Sequence, residues 1–492
     1  MCMFVQVKLL NNFPEPLWYK IPADWGAAHL QGTLVQVPLR NHIVSGLVIT
    51  QLDVLPPTIR FALKELAARE PFPNDQHYFT FIAHLAEYYQ ISSLSFIERL
   101  AHFLKHKKPK NSMRGLTANK PLKKPLPITL TDEQQAVVDF VSPHLHTASF
   151  VPTLLHGVTG SGKTEVYKKL IEQAISLQKT VFLLLPEVTL ALQFERLMRH
   201  QLPTTIAIYS FHSGTSTKNK RMAWQKIIAG EPLVIIGVHL PILLPITNLG
   251  LIIVDEEHEV GYQEKKHPKI HTKDAALWRA KIAAIPIVLG SATPSISSLY
   301  NVAHKGWHFF QLKKRFAGAL PTIKTVLLTD KQRRSNFWIS KELQNAIAQR
   351  LANKEQVILF LNRRGFSFFV QCKQCSFVFT CNHCSVSLTL HSNNTLSCHY
   401  CGLQVQQPTQ CPECKADDTH FLKKGIGTQQ VVSIIAGLFP QARIARADMD
   451  TTAKKTLWQD TVKDFEAGNL DILVGTQTIT KGFHFKRVTL VG

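Results

Sequence analysis

The stretch LLHGVTGSGKTEVY, residues 154–167, decides the fold. It carries the pattern G-x-x-x-x-G-K-[ST] as Gly157, Gly162, Lys163 and Thr164. An apolar run precedes it, and Val166, Tyr167, Leu170, Ile171, Ala174 and Ile175 follow at helical spacing. The order is therefore strand, glycine loop, helix, the context such a loop requires. Backbone N–H groups of a glycine-rich turn close on phosphate oxygens at the N-terminus of a helix, the lysine reaches the outer phosphates and the threonine hydroxyl faces magnesium. Gly157, Val158, Thr159, Gly160, Ser161, Gly162, Lys163 and Thr164 thus form the expected binding loop for a magnesium nucleoside triphosphate. A fortuitous glycine-rich turn is the competing reading, and the next motif argues against it.

LGLIIVDEEHE, residues 249–259, supplies a second apolar strand that ends in Asp255, Glu256, Glu257 and His258. A carboxylate at a strand end can hold Mg2+, and the following one can take a proton from the attacking water. Asp255 is assigned to the metal and Glu256 to the water. IVLGSATPS, residues 287–295, is a third buried strand, followed by Ser291, Ala292 and Thr293, whose hydroxyls can link the nucleotide site to a second surface.

Composition sets the wider bounds. A chain of 492 residues with 45% apolar content can bury several cores, so two to four domains are expected. No run approaches the length of a membrane span, and the opening MCMFVQVKLL lacks the features of an export signal. The expected location is the cytoplasm, with no membrane partner. Lys and Arg number 56 against 34 Asp and Glu, a formal charge of +22. Such an excess attracts polyanions, nucleic acid before an anionic membrane surface, because no basic amphipathic helix stands out.

Eight of the nine cysteines form four C-x-x-C pairs: Cys372/Cys375, Cys381/Cys384, Cys398/Cys401 and Cys411/Cys414. Cys2 stands alone. A reducing cytosol disfavours disulfides, and a redox dithiol does not need four pairs. Two closed sites of four thiolates satisfy two structural Zn2+ ions with no open position for water. His383, His391 and His399 lie nearby but are not needed as ligands. Spacing leaves the pairing open: neighbours in order, or inner pairs nested inside outer ones.

Taken together, GVTGSGKTEVY, DEEH, GSATPS, LNRRGF at 361–366, the four cysteine pairs and VGTQTITKG at 474–482 stand in the order found in PriA, the family of primosomal replication-restart DNA helicases. The chain resembles that family from about residue 129 to its end and more faintly over the first hundred residues. The resemblance implies an α/β fold with two RecA-like P-loop domains, the second incomplete, an inserted two-zinc module and a small, mainly β, N-terminal DNA-binding domain. It implies ATP with Mg2+ as cofactor, 3′-to-5′ movement on single-stranded DNA, and action at stalled forks and D-loops in primosome assembly. Forked and single-stranded DNA, single-stranded-DNA-binding protein and other primosome proteins are the implied partners. Carried over by position, Gln134 contacts adenine. The family nests its cysteine pairs, which places Cys372, Cys375, Cys411 and Cys414 on one zinc and Cys381, Cys384, Cys398 and Cys401 on the other.

The expected domains are 1–104 for binding a DNA 3′ end, a basic linker at 105–127, a first motor domain at 128–320 carrying both nucleotide motifs, and a second at 340–492 interrupted by the cysteine insertion at 370–420. No acidic residue occurs between Arg99 and Thr131, so the linker reads as solvated, or as lying along phosphates. The chain departs from the family in several places. Only the linker fills the position of a winged-helix domain. Val238, His239 and Leu240 stand for Thr-Arg-Ser, Lys269, Ile270 and His271 for Arg-Tyr-His, and Gly427, Thr428 and Gln429 for Gly-Thr-Glu. Lys481, Gly482, Phe483, His484, Phe485 and Lys486 replace Lys-Gly-His-Asp-Phe-Pro. The sequence stops at RVTLVG, before the family's arginine-finger motif, and no reading assigns that job to Arg363, Arg364 or Arg487. Two functional classes follow: an ATP-dependent DNA helicase, or a truncated, non-catalytic DNA-binding and recruitment protein that keeps zinc and ATP. An RNA helicase or restriction motor does not require the cysteine block.

Overall fold

The computed structural model describes the chain except for residues 1–3, 12, 14, 26–29, 58, 60–61, 74, 101–128, 213–214, 316–320, 327–337, 362–368, 391–393, 399, 425–427, 449–454, 477–478 and 480–484. The basic linker, Arg363, Arg364, His391, His399, Gly427 and the run 481–484 lie outside the described residues. Two compact units divide the chain at residue 320.

The first unit opens with an antiparallel sheet. Its strands are β1 (Phe4–Leu9), β2 (Leu17–Lys20), β3 (Leu34–Leu39), β4 (His42–Leu52) and β5 (Ala68–Arg69), in the order β2-β1-β4-β3-β5. Alternation in FVQVKL puts Val5, Val7 and Leu9 on one face, and they pack with Tyr19, Val35, Val37 and Val48 in a core of their own. The helix Gln76–Tyr89 and the short helix Ser93–Ile97 do something different: Tyr78, Phe81, Ile82, Leu85, Phe96 and Ile97 join the core of the following domain. Arg279 fastens the first of these helices. It is wholly buried, lies 5.2 Å over the rings of both Tyr78 and Phe81, faces Asp75 at 3.7 Å and donates to the carbonyl of Ile242 at 2.9 Å. The Tyr89 hydroxyl accepts from His271 N at 2.8 Å, and Arg99 pairs with Glu264 at 2.8 Å.

The following domain is built on β6 (Pro152–Gly157), β7 (Thr180–Leu184), β8 (Ile208–Phe211), β9 (Val234–Gly237), β10 (Leu249–Asp255), β11 (Ile287–Ser291) and β12 (His308–Leu312). Their order is β12-β6-β11-β10-β7-β9-β8, and every neighbouring pair is parallel. Continuous burial in TVFLL and LGLIIVD is what a sheet covered by helices on both faces demands. Adjacent residues serve opposite faces: Leu154 belongs to one core and Leu155 to the other. A parallel sheet gathers its loops at the carboxyl ends of the strands, and the three nucleotide motifs leave adjacent strands β6, β11 and β10 there.

The second unit contains another parallel sheet, ordered Ile444–Ala447, Ile472–Gly475, Gln356–Phe360, Val488–Val491. Helices Lys341–Ala352 and Thr428–Leu438 share the apolar cluster on one face of it. The cysteine module enters and leaves through an antiparallel pair, Phe369–Cys372 with Phe421–Lys424, and holds a small sheet of Thr389–Leu390, Thr395–Ser397 and Gln404–Gln406. This is a two-domain RecA-like α/β fold with an inserted module and a β N-terminal domain. Among the described residues no helix is long and apolar enough to cross a membrane.

Candidate nucleotide site and metal centres

The phosphate loop is shaped by two glycines in the left-handed region, Gly160 (φ 80°) and Gly162 (φ 84°), and by Gly157, where a Cβ would lie 2.4 Å from Ser161 Oγ. Gly162 caps the helix Lys163–Ser176, so the helix N-terminus with its positive dipole end faces the loop. Lys163 is buried and donates through Nζ to the carbonyl of Gly157 at 2.8 Å. Ser161 Oγ is buried with no hydrogen-bond partner. A turn closed to a Cβ at Gly157, a donor-rich helix end and an orphaned hydroxyl fit a nucleotide polyphosphate.

Gln134 is buried beside this loop. Its amide oxygen accepts from Thr131 N at 3.0 Å, closing a capping box on the helix Asp132–Val141, while Nε2 donates to the Ser161 carbonyl at 3.0 Å. The residue expected at adenine is thus tied to the phosphate loop itself.

Asp255 ends β10 with its side chain buried, and Oδ1 accepts from the Tyr167 hydroxyl at 2.8 Å. Burial, and then the neighbouring Glu256 charge, push its carboxyl up to about 6, against the pull of Lys163. Glu256 has φ 50°, a left-handed turn that separates it from the buried strand. Glu257, one residue on, is wholly enclosed. It accepts from Lys273 Nζ at 2.9 Å, Ser295 N at 2.7 Å, Ser295 Oγ at 2.9 Å and Ser298 Oγ at 2.8 Å. Burial alone would raise its carboxyl, but Lys273 and these donors hold it below the usual carboxylate range. Glu257 therefore bolts the acidic turn to the helices Thr272–Ile282 and Ile296–His304. His258 Nδ1 lies 2.8 Å from Ser291 Oγ, which also accepts from Thr293 N at 2.9 Å, so the acidic turn and the Ser-Ala-Thr turn are in direct contact. His239, at one of the family departures, meets Thr272 Oγ1 at 2.7 Å.

Sequence reading missed Tyr167 and Tyr262. The Tyr262 hydroxyl lies 2.9 Å from the carbonyl of Leu184 and 2.5 Å from that of Asp255 and shares its one proton between them, tying the end of β10 to β7. Helical spacing shows Tyr167 only as an apolar position. Gly290 is the hidden signal for its role, because a Cβ there would stand 1.6 Å from the Tyr167 hydroxyl.

The thiols form two groups, Cys372, Cys375, Cys411 and Cys414 in one and Cys381, Cys384, Cys398 and Cys401 in the other, with all ligand atoms of each group within 4.8 Å of one another. The nested pairing is the one the structure adopts. Sulfur separations of 3.5 Å for Cys372–Cys414 and Cys375–Cys411, and 3.6 Å for Cys381–Cys401, suit ligands at about 2.3 Å around a tetrahedral zinc, which lie about 3.8 Å apart. All four pairs are built alike. The residue after the second cysteine (Ser376, Ser385, Gly402, Lys415) has φ between 53° and 64°, or 78° at the glycine, and its N–H donates to the carbonyl of the first cysteine. Backbone N–H groups also aim at the sulfurs. That of Cys375 leads in lowering Cys372 to about 6, and that of Cys401 leads in lowering Cys398 to about 7. Cys375, against the pull of the Phe377 N–H, and Cys384 are pushed up to about 12 by burial and the neighbouring thiols, so within each group some thiols give up the proton and others keep it. The donor set fits two structural zinc ions.

A parallel sheet with phosphate loop, acidic turn and Ser-Ala-Thr turn on adjacent strands defines a P-loop motor of the helicase class, and residues 131–302 match the DEAD/DEAH box helicase family. Residues 5–100 match the 3′DNA-binding domain (3′BD), and residues 381–405 match the PriA DNA helicase Cys-rich region (CRR) domain. The replication restart protein PriA of Bacillus subtilis is 40% identical over 378 residues, covering 76% of this chain and 46% of that protein. That of Chlamydia muridarum is 39% identical over 374 residues, covering 74% and 49%. That of Rickettsia felis is 33% identical over 466 residues, covering 94% and 69%. The chain belongs to the PriA family. It spans about half the length of the first two relatives and 69% of the third.

Proposed function

We propose that this chain binds MgATP in its first unit and uses hydrolysis to move 3′-to-5′ along single-stranded DNA, as a helicase at stalled forks and D-loops in replication restart. The observation that carries the reading is the convergence of the phosphate loop, Asp255 with Glu256, and Ser291 with Thr293 at the ends of three adjacent strands in a PriA-family chain. A bound magnesium would supply positive charge against the negative charge that develops on the phosphates. Lys163 and the loop amides take the phosphates, Thr164 and Asp255 hold the ion, and Glu256 accepts the proton of the attacking water. Gln134, tied to Ser161, borders the loop on the adenine side.

His258, in contact with Ser291, offers a mechanical route from the acidic turn toward a DNA-binding surface. Residues 1–104 hold the DNA 3′ end, 105–127 are a basic linker, 128–320 and 340–492 are the two motor domains, and the zinc module at 370–420 docks fork DNA or partner proteins. Single-stranded-DNA-binding protein and other primosome proteins are the partners in this reading, and the cytoplasm is the location. The charge of +22 suits a forked polyanion.

The test is phosphate release by residues 1–492 with and without forked DNA. The reading expects stimulation by the fork and its loss in Glu256→Gln. An unstimulated rate, equal in the parent and in Glu256→Gln, would overturn it in favour of a non-catalytic DNA-binding protein.

A further inference from the structure

We infer that Arg315 is a further nucleotide-binding residue: its Nε braces the phosphate loop while its terminal guanidinium nitrogens meet the nucleotide phosphates. The inference rests on the reading of the loop as a nucleotide site and adds a cation that lies outside the loop, acidic-turn and Ser-Ala-Thr motifs.

Its placement follows from sheet register. β12 is the edge strand, parallel to β6, with Leu312 beside Gly157. The two chains leave the sheet at the same level, so residues 313–315 run past the loop that starts at Gly157. Lys313 N donates to Glu133 Oε2 at 2.8 Å, on the helix that carries Gln134. Two residues on, Arg315 Nε donates to the Thr159 carbonyl at 2.6 Å and sits 3.6 Å from the position of a Cβ on Gly160. Nη1 and Nη2 have no hydrogen-bond partner among the described residues.

The consequence shows in the loop carbonyls. A bare carbonyl oxygen repels a phosphate, so a good cradle keeps its oxygens engaged. Gly157 O is held by Lys163 Nζ, Val158 O by Ser161 N, Thr159 O by Arg315 Nε, Ser161 O by Gln134 Nε2, and Gly162 O by Glu165 N. Only two of these donors are cations. Lys163 is buried under the loop, and Arg315 stands half-exposed at its tip, next to the glycine whose missing side chain leaves the approach open. A guanidinium held through one nitrogen keeps a planar edge of further donors, the geometry that grips phosphate oxygens in pairs.

The test titrates a fluorescent ADP and a fluorescent ATP analogue, with Mg2+, into residues 1–492 carrying Arg315→Ala, Arg315→Gln or Arg315→Lys, with Lys163→Ala as reference. Loss of a charge-assisted phosphate contact is expected to weaken both nucleotides about tenfold in Arg315→Ala and Arg315→Gln, while Arg315→Lys, which keeps the charge, recovers part of the affinity. Arg315 is half-exposed, so all three variants should melt with the parent. Parental affinity in Arg315→Gln would mean that the residue only braces Thr159 and would overturn the inference, as would unchanged affinity in Arg315→Ala. Those results with Lys163→Ala inactive in binding would sink this inference alone. Unchanged binding in Lys163→Ala would instead remove the nucleotide site itself.

Discussion

Magnesium-dependent nucleotide binding should fail in mild acid, and Asp255 sets where. Its carboxyl is buried beneath Tyr167 and beside Glu256, and its pKa is raised from 3.8 to about 6. In the proposed function Asp255 holds the ion, and a carboxyl does so only when ionised. Because the shift is upward, the protonated fraction grows as pH falls through 6 rather than through 4. With a midpoint of about 6 the competent fraction is about 0.9 at pH 7, about 0.5 at pH 6 and about 0.09 at pH 5. Affinity for an Mg2+–nucleotide analogue should therefore drop about tenfold from pH 7 to pH 5, or about 1.4 kcal/mol. An ordinary carboxylate at 3.8 would still be about 94% ionised at pH 5 and would show almost no change. Calorimetric titration with a non-hydrolysable ATP analogue at pH 5, 6, 7 and 8 reads this directly. The same series in EDTA supplies the control, since the ion and not the nucleotide is at stake. Glu256→Gln removes the second cause of the shift and should move the midpoint toward lower pH. A flat profile with Mg2+, or an equal fall in EDTA, would refute the reasoning.

Three further outcomes follow from the same geometry. Gly290→Ala places a Cβ 1.6 Å from the Tyr167 hydroxyl and 3.0 Å from Asp255 Oδ1, so it should cost about 3 kcal/mol or more in thermal or urea unfolding. Adding Tyr167→Phe, which deletes the clashing oxygen, should return part of that loss. Adjacent glutamates should behave oppositely: Glu257→Ala leaves Lys273 buried and unpaired and should destabilise by about 3–5 kcal/mol, whereas Glu256→Gln should leave unfolding nearly unchanged and stop phosphate release. Cys381→Ser with Cys384→Ser should lower bound zinc by one ion per chain in metal analysis and spare nucleotide affinity, because the second tetrad shares no ligand with it.

Local pattern carried much of this molecule. The glycine spacing with its flanking strand and helix, the apolar run before Asp255 and the C-x-x-C turns are each set within a dozen residues, where backbone sterics and burial period act directly. The helix at 163–176 buries Val166, Tyr167, Leu170, Ile171 and Ala174 as its spacing requires. Strand endings at Asp255 and Ser291 were legible for the same reason.

Other features depend on residues far apart in the chain. Nothing local distinguishes Glu256 from Glu257; a lysine 16 residues on and two serines about 40 residues on make the second a buried anchor. Tyr167 looked like one more apolar helix position until β10 brought Asp255, 88 residues away, under its hydroxyl. Spacing allowed two pairings of the cysteines, and an antiparallel stalk joining Cys372 to Phe421 across 49 residues selected the nested one. Membership of the helix Gln76–Tyr89 in the core of the following domain rests on Arg279, two hundred residues later. Periodicity by itself determined which segments are strands, helices and metal turns, because those depend on neighbours in sequence. Which of the two glutamates is anchored to distant helices was decided only when parallel strands brought their ends to one edge, and which thiols share a site only when an antiparallel pair closed the cysteine module.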